Sequence, residues 1–397
     1  MDQRARLRHC MVVDNYYPDI RVEREGRALV QAGHAVDVIC LRNEGEPAYE
    51  RIDGIGVYRL PVHRRRGMGL RVQLGEYLSF FAWATAMVAH RHLRRRYDVV
   101  QCHNVPDFLV FSAIVPRLSG SKVLLDLHDL MPEFYASRFG GRMDSLAVRL
   151  VTWQERLSGA FADHVLTVTK LWRTTLIERG LDADKVDVVM NLPDEELFAP
   201  RRPSIRQAPD PLTLVYHGTI THRYGIDVLL DALASVRERR DVRLILHGRG
   251  EYLPAVERHI EELGLGDAVE LSTALVPTAA LPEIIGRADI GIVPNRRDIF
   301  TDGILPTKLM EYAALGIPAI VSRTSATEAY FTDEMVRYVD PGDAAALAEA
   351  ILELADDPGR RRDLAERAQE FSVGHRWLDE AGRYVELVER LAARRRA

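Results

Sequence analysis

Three cysteines, Cys10, Cys40 and Cys102, are all that stand among 397 residues. An odd number in apolar runs excludes a disulfide framework and a metal cluster, and reads as buried thiols in a reducing compartment. Lysine is scarce as well: of 53 basic residues only Lys122, Lys170, Lys185 and Lys308 are lysine, so each carries more information than usual. There is no basic excess either. A formal net charge of -5 gives no overall attraction to nucleic acid.

Long apolar runs are missing too. The most apolar helix-like stretch, residues 77–89, falls short of the roughly 20 apolar residues of a bilayer span. The start of the chain, residues 1–8, is basic and runs straight into a strand-like stretch, without the apolar region and small-residue cleavage site of a signal peptide. The expectation is a cytoplasmic protein. No G-x-G-x-x-G follows the first strand-like run, which sets aside a nicotinamide oxidoreductase.

What is present is alternation. Short β-rich runs at residues 9–13, 36–40, 98–101, 122–127, 164–168 and 186–189 are separated by helical patterns at 23–31, 75–92, 106–118, 144–159 and 171–180. Such βαβ units predict a parallel sheet covered on both faces. Residues 199–211, with four prolines and no apolar periodicity, have linker composition. The alternation then restarts, with strands at 212–217, 242–247, 269–271, 289–293, 319–321 and 337–339 and helices near 226–239, 253–263, 307–314 and 343–355. Residues 375–394 read as one amphipathic helix that would pack back across the domains. The fold class expected is α/β, with two doubly wound domains: 1–199, a linker at 200–211, 212–374, and the terminal helix 375–397. Strand-end loops form the ligand crevice in such sheets, so function is expected in a cleft between the domains.

The segment Thr301-Asp302-Gly303-Ile304-Leu305-Pro306-Thr307-Lys308 follows a strand and opens a helix. Amides free at that helix start suit a phosphate. Lys308 and Glu311, three apart, share a helix face, so the lysine could reach phosphate while the carboxylate accepts from ribose hydroxyls; a surface ion pair fits the same spacing. In residues 125–133, Asp126, Asp129 and Glu133 gather around His128 at a strand end. A structural histidine bonded to a neighbouring carbonyl fits these residues as well as a functional one.

Residues 306–320, Pro-Thr-Lys-Leu-Met-Glu-Tyr-Ala-Ala-Leu-Gly-Ile-Pro-Ala-Ile, resemble the donor-site helix of retaining family-four glycosyltransferases, in its proline-Ser/Thr-lysine variant. The resemblance implies the GT-B fold, a nucleotide diphosphate sugar as co-substrate, no metal and no other cofactor. It makes Glu311 a ribose ligand and places a sugar-holding carboxylate eight positions earlier, where this chain has Gly303 beside Asp302. Residues 216–227 resemble the family's glycine loop and its diphosphate-neutralising basic residues; Gly218 and Arg223 match, and Thr219 stands at the usual arginine. Leu275 falls where backbone meets the donor base, and Leu305, Thr307 and Lys308 complete the expected donor set. His128 matches a position near the transferred sugar and is the candidate catalytic residue. Asp19, Arg21 and His103 are the acceptor-side candidates, although an Asp19–Arg21 turn contact reads equally simply.

The function these residues imply is transfer of a sugar, with retention, to a saccharide, glycolipid or small-molecule hydroxyl in bacterial surface polysaccharide or glycolipid synthesis, without nucleic acid. A non-catalytic GT-B partner is the alternative, because Gly303 and Thr219 depart from the pattern. Arg64–Arg66 and Arg94–Arg96 flank the helix bearing Tyr77, Phe80, Phe81 and Trp83. That pairing suits peripheral contact with the inner face of a membrane, and the aromatic spacing suits core filling.

Overall fold

Apolar runs of four to eight residues become strands buried on both faces, as a parallel sheet requires. The computed structural model describes residues 6–14, 16, 19–62, 70–140, 142–200, 203–207, 210–274 and 276–393. The chain forms two compact units, Met1–Met190 with Asp379–Ala397, and Asn191–Leu378.

The first unit runs β1 (Arg8–Val12), α1 (Ile20–Gln31), β2 (Ala35–Leu41), β3 (Tyr49–Ile52), β4 (Ile55–Leu60), α2 (Leu70–Arg94), β5 (Val99–His103), a 3-10 segment (Asp107–Ala113) leading into α3 (Ile114–Leu118), β6 (Lys122–Leu127), α4 (Met131–Phe139), α5 (Leu146–Phe161), β7 (His164–Thr167), α6 (Lys170–Glu178) and β8 (Val186–Val188). Its sheet has the order β3-β4-β2-β1-β5-β6-β7-β8. All pairs are parallel except β3 with β4. That pair is a hairpin absent from the expected strands, turned at Asp53 and Gly54, whose φ values of 48° and 84° are both positive, as a two-residue turn matched to strand twist needs.

The second unit runs β9 (Leu212–Thr219), α7 (Ile226–Arg237), β10 (Val242–Arg249), α8 (Leu253–Glu262), β11 (Val269–Ser272), α9 (Leu281–Ile285), β12 (Ile290–Val293), α10 (Thr307–Leu315), β13 (Ala319–Ser322), α11 (Ser325–Glu328), β14 (Arg337–Val339), α12 (Ala344–Asp356) and α13 (Pro358–Gly374). Its sheet, β11-β10-β9-β12-β13-β14, is parallel throughout. Leu214, Leu244, Leu246, Ile290 and Ile292 of the strands pack with Leu229, Leu233, Ile351 and Leu354 of α7 and α12. Burial of each such side chain contributes about 1.5–3 kcal/mol.

Local signals set the helix ends. Asp19 caps α1, which therefore starts three residues before the expected residue 23. Asp357, followed by Pro358, opens α13, a helix the periodicity did not announce. Gly316, at φ 67°, closes α10. Arg206, within the stretch read as a linker, is held in the second unit: it pairs with Asp289, and its carbonyl accepts from Arg361. The terminal helix α14 (Trp377–Ala393) belongs to the first unit from Asp379 onward. There Tyr384 donates to Gln101 Oε1 at 2.5 Å, and Glu389 meets His34 at 3.2 Å. Among the described residues no helix is long and apolar enough to cross a membrane.

Candidate functional site

Each sheet reverses its winding once. In the second unit the reversal lies between β9 and β12, in the first between β1 and β5. Loops leaving the carboxyl ends of strands at such a switch point diverge and open a crevice, so each unit has one favoured place for a ligand. The expected site residues can be placed against that rule.

In the second unit Gly218 follows the buried part of β9 with φ 114°, and a Cβ there would lie 3.5 Å from Lys308 Cε. β10 runs alongside so closely that a Cβ on Gly248 would meet the Gly218 oxygen at 1.8 Å. Backbone therefore fills the place where side chains would otherwise stand. Gly225, at φ 67°, lies against Pro294, where a Cβ would approach the carbonyl oxygen to 2.0 Å; this joins the loops after β9 and β12.

Lys308, in the first turn of α10, is buried. Its Nζ sits 4.8 Å from the Tyr216 ring centroid and 5.1 Å from that of Tyr224, both cation–π distances. Among the described residues no carboxylate forms an ion pair with it. Burial pushes the ammonium down to about 8, with the charge of Glu311 pulling the other way. Glu311, also buried, accepts from His217 Nε2, and His217 Nδ1 lies 3.2 Å from the Tyr312 hydroxyl. No side chain caps the start of α10, where Pro306 precedes the amides of Thr307 and Lys308. The result is a buried, unneutralised cation beside open backbone N–H groups.

The other donor candidates fall in two groups. Thr219 ends β9, where its carbonyl accepts from the Tyr216 hydroxyl at 2.7 Å, and Leu305 is buried ahead of Pro306. The Arg223 guanidinium lies 5.3 Å from the Phe300 ring centroid, while its carbonyl accepts from Arg296 at 3.0 Å. Asp302 is turned elsewhere: its carboxylate accepts from the Ser325 amide at 2.9 Å and hydroxyl at 2.8 Å, and pairs with Arg297 at 2.8 Å. Gly303 is buried in the same 3-10 turn. Leu275 lies outside the described residues.

In the first unit Asp126, at the end of β6, is the hub. His103 Nδ1 lies 2.8 Å from its Oδ2, His128 Nδ1 3.6 Å and Arg21 Nε 3.7 Å. Burial raises this carboxyl, but the hydrogen bond from His103, the approach of His128 and the charge of Arg21 win and hold it well below the usual range. His103 is fully buried, not lining the surface as its acceptor-side expectation required. Its contact with Asp126 makes it a support for the hub. Asp19 caps α1, accepting from the amides of Arg21 and Val22, and its carboxylate also lies 3.6 Å from the Arg21 guanidinium. Asn104 orients the following loop, its Oδ1 accepting from the His128 amide at 3.2 Å.

Behind the hub lies a chain the sequence reading missed. Gln101 donates to Glu25 at 2.8 Å, and burial followed by the charge of Asp126 pushes the Glu25 carboxyl up. Glu25, His103 and Asp126 bring ligand atoms within 4.8 Å of one another, a spacing that could hold a cation. Arg21 and the Gln101 amide already supply positive charge and a donor to those two carboxylates. What the cluster offers chemically is a partly exposed imidazole, His128, oriented by a buried acid.

Two doubly wound parallel-sheet units in tandem, each with its polar cluster at the switch point, are the GT-B architecture. Residues 18–191 match the glycosyl transferase 4-like domain family and residues 200–371 the glycosyl transferases group 1 family, and the chain belongs to the GT-B glycosyltransferases. It is 27% identical over 314 residues to an uncharacterized glycosyltransferase of Methanocaldococcus jannaschii, covering 74% of this chain and 73% of that one. Among solved structures it is similar to sucrose-phosphate synthase from Thermosynechococcus elongatus, with TM-score 0.79, 20% identity, and coverage of 98% and 100% of the two chains. It is also similar to Anabaena HepE in complex with UDP-glucose, with TM-score 0.71, 16% identity, and coverage of 96% and 99%. At these identities the structural likeness carries the fold.

Proposed function

We propose that this glycosyltransferase takes its sugar from a nucleotide diphosphate donor bound at the β9/β12 switch point and transfers it, with retention, to a hydroxyl acceptor in surface polysaccharide or glycolipid synthesis. The carrying observation is Lys308, a buried cation without a carboxylate ion-pair partner among the described residues, set beside Gly218 and the uncapped start of α10. A diphosphate supplies the missing negative charge and accepts from the helix amides. Glu311, held by His217, presents its remaining lone pairs to ribose hydroxyls. The complex of HepE with UDP-glucose supports this class of donor.

Arg223 and Lys308 stabilise charge developing on the leaving diphosphate, and the acceptor proton passes to that departing group in a same-face displacement. No covalent protein nucleophile is required, in line with the family-four resemblance. His128, oriented by Asp126, contacts the transferred sugar or the acceptor. Arg21, tied to both Asp19 and Asp126, holds this acid in place. The engagement of Asp302 by Ser325 and Arg297 leaves no carboxylate at Gly303 and favours, as a second reading, a protein that binds donor without turning it over.

Thermal shift against uridine, guanosine and thymidine diphosphates and their sugar conjugates tests the donor site, because a ligand of the native state raises apparent stability. A shift with one base that Glu311→Ala removes supports the site; no shift with any sinks it. Release of nucleoside diphosphate from the bound conjugate then separates transferase from silent partner.

A further inference from the structure

Helix α5 buries one side and leaves the other bare. Val148, Glu155, Ser158 and Gly159 are buried, whereas Leu146, Leu150, Trp153 and Leu157 are 73%, 58%, 60% and 41% exposed. Spacings of four, three and four put those four in a single stripe. One exposed leucine needs no explanation; a continuous stripe containing tryptophan does. Arg149 and Arg156, both exposed, lie seven residues apart on its flank, and the exposed Arg142 precedes the helix. Arg142 also meets Asp144 at 2.9 Å, whereas Arg149 and Arg156 form no ion pair among the described residues. Beside the stripe opens a depression of about 500 Å³, lined by Trp153, Arg156, Leu157 and Glu178.

Exposed apolar side chains on this side of the sheet are not confined to α5. Both α2 and α5 pack on the 3-10 segment Asp107–Ala113, through Phe81 against Phe108 and Phe161 against Phe111, so they cover the same side of the sheet. On α2, Leu74, Leu78 and Trp83 are about half exposed. Arg64–Arg66, read from the sequence as part of a membrane contact with α2, lie outside the described residues.

Charge decides the occupant. In an antiparallel self-pairing along the stripe, Arg149 and Arg156 would face their own copies; in a parallel one they would face Gln154 and Phe161. Neither offers a carboxylate. A surface that is apolar inside and anionic at its rim satisfies leucines, tryptophan and arginines together, and spreads over both helices. We infer that this face of the first unit docks on a bilayer containing anionic phospholipid, with α5 lying in the interface and Trp153 at headgroup level.

The test uses the full chain and sedimentation with vesicles of phosphatidylcholine alone or with phosphatidylglycerol added. Binding is expected to the anionic vesicles and to weaken with salt. Arg149→Glu with Arg156→Glu should reduce it by roughly 25-fold or more, each lost arginine accounting for about fivefold. Leu150→Ser with Trp153→Ser should reduce it more than about tenfold while leaving the thermal midpoint unchanged, since both side chains are exposed. Brominated acyl chains should quench emission that Trp153→Phe removes. Equal or absent binding to the two vesicle types overturns the inference. So does binding that survives both double variants, or light scattering that shows a dimer which Trp153→Ser dissolves. None of these readouts depends on donor binding.

Discussion

Replacing Lys308 by methionine should make the protein more stable and unable to hold its donor. At pH 7 the lysine is protonated folded and unfolded alike, yet burial has moved its pKa from 10.5 to about 8. Each pKa unit is about 1.4 kcal/mol, so the protonated side chain costs the fold roughly 3 kcal/mol. Methionine keeps much of the volume without the charge. Allowing for imperfect packing, Lys308→Met should gain about 1–3 kcal/mol at pH 7, seen as a higher denaturant midpoint with an unchanged slope. The pH dependence supplies the sign. Between pH 8 and 10.5 the unfolded chain binds a proton the fold has released, so wild-type stability rises through that window relative to the variant. The gap should be full below pH 8 and close by pH 10.5. Titration calorimetry on the same pair should show nucleoside diphosphate affinity falling above pH 8 in the wild type and lost in the variant. A variant less stable than wild type at pH 7, with a constant gap across the window, would refute the claim that Lys308 is a desolvated cation awaiting an anion.

Three other substitutions probe the scaffold. Gly248→Ala drives a Cβ to 1.8 Å from the Gly218 oxygen and must part β9 from β10, which should cost at least about 3 kcal/mol in urea unfolding; Gly266→Ala, with nothing within 4 Å, is the control. Asp126→Asn leaves Arg21 and His103 without their acid and should destabilise by about 3–5 kcal/mol, measured by the same unfolding. Asp107, pushed up to about 8 by burial and then by the charge of Glu155, keeps in the fold a proton that the unfolded chain releases near pH 3.8. Stability should therefore fall as pH rises between those values, by up to about 1.4 kcal/mol per pH unit, and Asp107→Asn should flatten that slope in a pH series of unfolding curves.

How far the sequence could be read follows from where each signal lies. The parallel strands were legible because a strand covered on both faces must carry an apolar run, as 123–125 and 290–293 do. The β3–β4 hairpin was also written locally, in Asp53-Gly54, but β3 is short, carries the adjacent charges Glu50 and Arg51, and does not look like the parallel strands. Helix α13 was hidden by its narrow buried face of Leu364, Ala365 and Ala368 beside Arg361. Lys308 and Glu311 share a helix turn, so spacing alone could pair them, whereas the partner that holds Glu311 is His217, 94 residues away on another element. No one-dimensional pattern carries such a contact. Glu25 lies between these extremes: it sits with Val22 and Leu29 on the buried stripe of α1, and a charged residue on an apolar stripe is a signal that something must satisfy it. Only the fold says that Gln101 does. The two polar clusters nevertheless have one cause. Strand order reverses between β9 and β12 and between β1 and β5, and a reversal sends neighbouring loops to opposite faces, leaving strand ends uncovered. Polar side chains can gather there without the burial cost they would meet anywhere else in the sheet. The sequence therefore shows which residues stand at strand ends, and the order of strands decides which of those ends can work.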